Sequence, residues 1–110
     1  MKGQQVINRY KAGERRFSRA KLRRANLVGA MLRNIDLSFA NLGEADLRSA
    51  NLTGANLTGC DLMEADLRDA NLDDTNLHCA NLYQADVTGE QLAQAKSIKG
   101  AIMPKGGRHA

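Results

Sequence analysis

The stretch Asn51–Leu72, NLTGANLTGCDLMEADLRDANL, puts a leucine at every fifth residue, usually with alanine two residues before it and Asn or Asp one before it. Followed outward, the beat runs from Phe17 and Leu22 to Leu82 and Val87, fifteen consecutive units of which thirteen are centred on leucine. Alanine holds the position two before the centre in eleven units, the exceptions being Arg15, Ile35, Cys60 and Thr75. Asn or Asp holds the position one before it in twelve, the exceptions being Arg16, Lys21 and Met31.

A period of five fits neither simple element. On a helix, five residues advance about 500°, so successive leucines drift by about 140° and form no stripe. On a flat strand the side chains alternate, and every second leucine would face the wrong way. A chain that turns once per unit keeps all the leucines inside, and such a chain stacks on itself as a β-solenoid. The central residue then fills the interior. The position two before it also faces inward, beside the leucines, where a small side chain fits. The Asn/Asp position faces outward at the bend, where a short polar side chain bonds nearby backbone. The two remaining positions vary and admit Gly29, Gly54 and Gly59.

The rest of the composition agrees. A chain of 110 residues makes one domain. Its aromatics are Tyr10, Phe17, Phe39 and Tyr83 alone, so leucine and alanine must build the core. No apolar run approaches the roughly 18 residues of a membrane span, and the first residues lack the apolar stretch of a secretory signal. The expected compartment is the cytosol, with Cys60 and Cys79 as reduced thiols. The net charge of +4 conceals segregation: +9 over residues 1–35, −9 over 36–95 and +4 over 96–110. Along the sequence this reads as a charge dipole.

The A(N/D)LXX run resembles the pentapeptide-repeat family, and the segments flanking it resemble those of short bacterial and cyanobacterial members. The resemblance implies a right-handed quadrilateral β-helix, four repeats to a coil, hence just under four coils. Spacing alone shows only one turn per unit. The expected organisation is an N-terminal capping helix over 1–13, the β-helix over 14–88, a C-terminal capping helix over 89–99 and a flexible tail over 100–110. Val6, Ile7 and Tyr10 share one face of the first helix, which Gly13 stops. Thr88 and Gln91 match a capping box for the second.

Nothing in the chain resembles a catalytic constellation. His78 and Cys79 are adjacent, no other His or Cys has metal-ligand spacing, and no cofactor is expected. Cys60, at an alanine position, reads as a buried thiol on the opposite side of the wall from Cys79, which argues against a disulfide. The acidic residues mostly occupy the Asn/Asp position or the free positions, with Glu44 stacked on Glu64, and read as a solvated face. Met63 and Tyr83 form a small exposed apolar pair. Arg16, Arg19, Arg23, Arg24 and Arg33 crowd the first coil and are the candidate partner-binding residues. The leading expectation is a non-catalytic, rigid protein-interaction module with an unidentified protein partner. End-to-end self-association, basic end to acidic end, is a further reading. Some members of the resembled family mimic DNA and modulate a type II topoisomerase (gyrase), and that is one alternative, against which stand the short length and net positive charge of this chain. Weak nucleic-acid binding through the basic first coil is the other; against it, base-stacking aromatics are missing from that coil and the acidic half repels phosphate.

Overall fold

The computed structural model describes residues 1–110. One unit shows why the chain folds as it does. In Asn56–Cys60, all five backbone N–H groups find acceptors. Asn56 N–H donates to the Ile35 carbonyl at 2.9 Å, in the coil before. Leu57 and Gly59 N–H donate to the Asn76 and His78 carbonyls, both at 2.8 Å, in the coil after. Cys60 N–H closes a turn on the Leu57 carbonyl at 3.1 Å. Only Thr58 N–H is left, and the Asn56 side-chain oxygen accepts it at 3.1 Å. The Asn/Asp position therefore supplies the one acceptor that the stacked backbone cannot.

The same pattern recurs with parallel pairing at a spacing of twenty, from Arg16–Asp36 to Asp66–Asp86, so four units make one coil and the section is four-sided. The turn in each unit needs a positive φ at its third residue, two after the centre, as in a type II turn. Glycine meets that need at Gly29, Gly54 and Gly59 (φ +65° to +70°). Eleven other residues adopt the same conformation, among them Arg19, Phe39 and Cys79, with φ near +60°. Reading that position as free was too loose, because it carries a backbone demand.

Inside, the central leucines from Leu22 to Leu82 are buried in one continuous core with the alanine column. The two buried polar members of that column are satisfied. Thr75 Oγ1 donates to the Leu52 carbonyl at 2.8 Å, and Cys60 Sγ donates to the equivalent Leu37 carbonyl.

Both ends are closed. Helix α1 (Gly3–Lys11) lays Val6, fully buried, over the first coil. Gly3 approaches so closely that a Cβ there would stand 2.0 Å from the Asn26 carbonyl oxygen. Tyr10 donates its hydroxyl to the Arg33 carbonyl at 2.6 Å. Gly13, at φ +102°, ends α1 in a Schellman arrangement: its N–H reaches the Tyr10 carbonyl and Glu14 N–H the Arg9 carbonyl. Helix α2 (Gly89–Gln94) starts in the expected capping box of Thr88 and Gln91 and buries Leu92. Gln91 Nε2 also donates to the Leu67 and Ala70 carbonyls, at 2.7 and 2.9 Å.

Here the structure departs from the sequence reading. Helix α2 ends at Gln94, not at Lys99. It occupies the place of one unit but adds a residue, so Ser97 pairs with Asn76 and Ile102 with Asn81 at a spacing of twenty-one. Residues 97–105, expected to lie in the helix and a flexible tail, lay down two more rungs. Ser97 even takes the Asn/Asp role, accepting Lys99 N–H at 3.2 Å. Arg108 then folds back antiparallel on Ile102 and covers the last open edge.

Leu57 sits mid-stack between Leu37 and Leu77, and all three are fully buried. Leu57→Ala is expected to cost about 2–5 kcal/mol in urea unfolding. Leu57→Asp is expected to abolish the cooperative transition, because it buries an unpaired charge. A native-like melting curve for Leu57→Asp would overturn the inward register.

Candidate functional site

The arginines singled out from the sequence do surround the first coil, but not as one patch. Arg16 and Arg19 lie on one face, Arg23 and Arg24 on the next, and Arg33 on the fourth. Arg23 and Arg24 are brought together on Glu44, with nitrogens 2.8 and 3.0 Å from its Oε2. The Arg23 hydrogen bond, then that of Arg24, holds the Glu44 carboxyl below its ordinary range. Glu44 is thus half of a charge cluster rather than part of an acidic face. Arg19 instead sits over the Phe39 ring, 5.3 Å from its centroid. That ring in turn covers Gly59, where a Cβ would stand 2.4 Å from it. Arg16, Arg19 and Arg33 form no ion pair.

On the third face the charges neutralise one another in a ladder. Arg48 and Arg68 each bond the Asp two residues earlier, at 2.7 and 2.6 Å, and lean toward the Asp of the next coil, at 3.8 and 3.5 Å. Asp46 and Asp66 are held below the ordinary carboxylate range, chiefly by these side-chain bonds from Arg48 and Arg68. The dipole read along the sequence is also altered. The last two rungs return Lys96, Lys99, Lys105 and Arg108 to the C-terminal end, so both ends carry cations.

Cys60 and Cys79 are free. Burial pushes the Cys60 thiol up to about 12, which leaves it protonated and unreactive. Cys79 is exposed, beside Gly100, and His78 is half-buried. No group of three or more His, Cys, Asp or Glu side chains is placed to hold a metal ion. No helix is long and apolar enough to cross a membrane.

The sequence reading missed one feature. Helix α1 and the first coil enclose a cleft of about 400 Å³ whose apolar walls are Ile7 and Tyr10 on one side and Val28 and Met31 on the other. Met31 is 62% exposed and Val28 46%. The signal was present in the sequence: Met31 is an exception at the Asn/Asp position. Its meaning depended on where α1 docks.

Two measurements check this surface. A thiol reagent is expected to label one cysteine, Cys79, in the native protein and Cys60 only on unfolding. The ladder contributes stability that is present above the ordinary aspartate pKa of about 3.8 and is lost as pH falls through the depressed native values. Arg68→Gln is expected to raise the Asp66 pKa toward that ordinary value in a carboxyl NMR titration and to weaken the acid-side loss of stability.

Comparison with known proteins agrees with this geometry. The model of pentapeptide repeats matches residues 16–38, 32–69 and 50–89, in eight copies. A pentapeptide repeat protein from Nostoc PCC 7120 is similar in structure, with 44% identity, a TM-score of 0.52, and 76% of this chain and 74% of that one covered. Another, from the thylakoid lumen of Arabidopsis thaliana, is similar at 29% identity and a TM-score of 0.58, covering 83% of this chain and 67% of that one. No functionally curated relative matches. A spacing-of-twenty ladder, a leucine interior and these likenesses lead to one conclusion: the chain is a right-handed quadrilateral β-helix and belongs to the pentapeptide-repeat family.

Proposed function

We propose that the protein is a non-catalytic, rigid interaction module of the cytosol whose first coil engages a protein partner. The observation that carries this reading is where the repeat rule is broken. Asn or Asp is absent from its position only at Arg16, Lys21 and Met31, all in the first coil. There the N–H groups of Ser18, Arg23 and Arg33 lose the side-chain acceptor that later coils provide. Each lost bond forgoes about 0.5–1.5 kcal/mol. Being the end coil does not require it, since Asn26 in the same coil keeps its bond to Val28 N–H at 3.2 Å. Stability given up locally in exchange for exposed cations and an exposed methionine marks a surface shaped for contact.

The charge arrangement supports a protein partner over the other readings. Mimicry of DNA needs an unbroken acidic face, whereas Asp46, Asp66 and Asp86 alternate with Arg48 and Arg68. End-to-end stacking would bring cations against cations over half the section. A nucleic acid would meet unpaired cations spread over different faces and no exposed ring among them except Phe39, already under Arg19.

Affinity capture from nuclease-treated lysate tests the reading. The native protein is expected to retain a specific protein that the folded variant Arg16→Glu/Arg19→Glu/Arg33→Glu loses. Equal capture by both would remove the first coil as the contact surface. Inhibition of gyrase supercoiling at micromolar protein would favour the topoisomerase alternative instead.

A further inference from the structure

We propose that the cleft between α1 and the first coil is a docking groove for a short acidic, amphipathic segment of a partner protein. Its apolar side chains would seat against Val28 and Met31, and its carboxylates would meet Lys11 and Arg15. This rests on the interaction-module reading above and names the site and the chemistry of the segment.

The shape comes first. The cleft, at about 400 Å³, has room for a large apolar side chain and part of its backbone. Gly29 lies on its floor at φ +66°, with nothing within 4 Å of where a Cβ would stand, so the floor is open. One wall, Val28 and Met31, is exposed apolar surface, and Met31 is the most exposed large apolar side chain of the protein; the other, Ile7 and Tyr10, is partly buried against the core. Met31 is one of the three side chains for which the repeat gave up a hydrogen bond, and the only apolar one. Val28 heads a column that continues as Arg48, Arg68 and Thr88, so apolarity there is peculiar to the first coil.

The charge selects the occupant. Every ionisable group that rims the apolar walls is a cation, Lys11 and Arg15. Glu14, the nearest carboxylate in sequence, is occupied by Arg9. An apolar segment flanked by lysine would be repelled, and a neutral one would gain nothing from the positive charge of Lys11 and Arg15.

The groove is also held rigid before anything binds. The Arg15 guanidinium lies 3.6 Å from the Tyr10 ring centroid and donates to the Tyr10 carbonyl at 2.9 Å. The Tyr10 hydroxyl is anchored on the Arg33 carbonyl across the cleft. A pre-set wall lowers the ordering cost of binding. An amphipathic segment lying in an apolar groove with charged rims is an established recognition mode.

The test uses fluorescence anisotropy at physiological salt. The probe is a short fluorescein-labelled peptide with two leucines and a phenylalanine on one helical face and Glu/Asp elsewhere. The control is the same peptide with lysine replacing every acid. The full-length protein is expected to bind the acidic probe with micromolar affinity and the control at least about tenfold more weakly. Met31→Asn restores the repeat rule, so it is expected to raise Tm while weakening probe binding about tenfold or more. Val28→Thr is expected to weaken binding with Tm unchanged. Failure to bind the probe, equal binding of the lysine control, or full affinity in Met31→Asn overturns the proposal. Sedimentation velocity provides a further check: a native dimer dispersed by Met31→Asn would assign the groove to a second copy and overturn the partner assignment. Loss of probe binding with the arginine-dependent capture intact removes the groove alone. Loss of both removes the module reading.

Discussion

The register of twenty between stacked backbones is the constraint on which everything else depends. Three of the five N–H groups in an interior unit are satisfied only by the coil above or below, through bonds such as Leu57 N–H to Asn76 O at 2.8 Å. A single coil would therefore leave most of its donors to water and its leucines half-exposed, so no coil is stable by itself. Cooperativity along the axis follows. So does the need for ends that differ from the middle. Helix α1 covers one edge with Val6 and Gly3, and α2 with the returning strand at Arg108 covers the other.

The same constraint shapes what the surface can offer. A leucine interior filled to the axis leaves no cavity, and the turns use the short polar side chains for their own backbone. Several charges are also consumed internally, Arg48 and Arg68 in the aspartate ladder and Arg23 and Arg24 on Glu44. The first coil departs from this pattern. There the Asn/Asp position is occupied by Arg16, Lys21 and Met31, and α1, lying across the coil, makes a cleft with Val28 and Met31. Stability and surface chemistry compete for one position per unit. In the first coil surface chemistry prevails at three of four units.

Much of this was written in one dimension. The beat of five, the inward leucine and alanine columns, the outward Asn/Asp acceptor, the buried Cys60 and the two capping segments are all consequences of side-chain size and polarity repeating at fixed spacing. Periodicity is local information, and a chain with one turn per unit has few ways to bury thirteen leucines. The excess of cations around the first coil was equally legible, since it needs only a count.

What required the tertiary structure is what depends on register across coils or on docking. The extra residue in α2 changes the spacing from twenty to twenty-one and turns an expected tail into two rungs that carry lysines to the acidic end. No repeat pattern announces that shift, because it arises where α2 interrupts the repeat. The positive φ at Arg19, Phe39 and Cys79 belongs to a turn geometry that glycine signalled at only some of its positions. The five arginines separate onto different faces because the chain turns between them. Met31 appears in the sequence as a lapse in the repeat. It becomes the wall of a cleft only because α1 lies across the coil and brings Ile7 and Tyr10 opposite it.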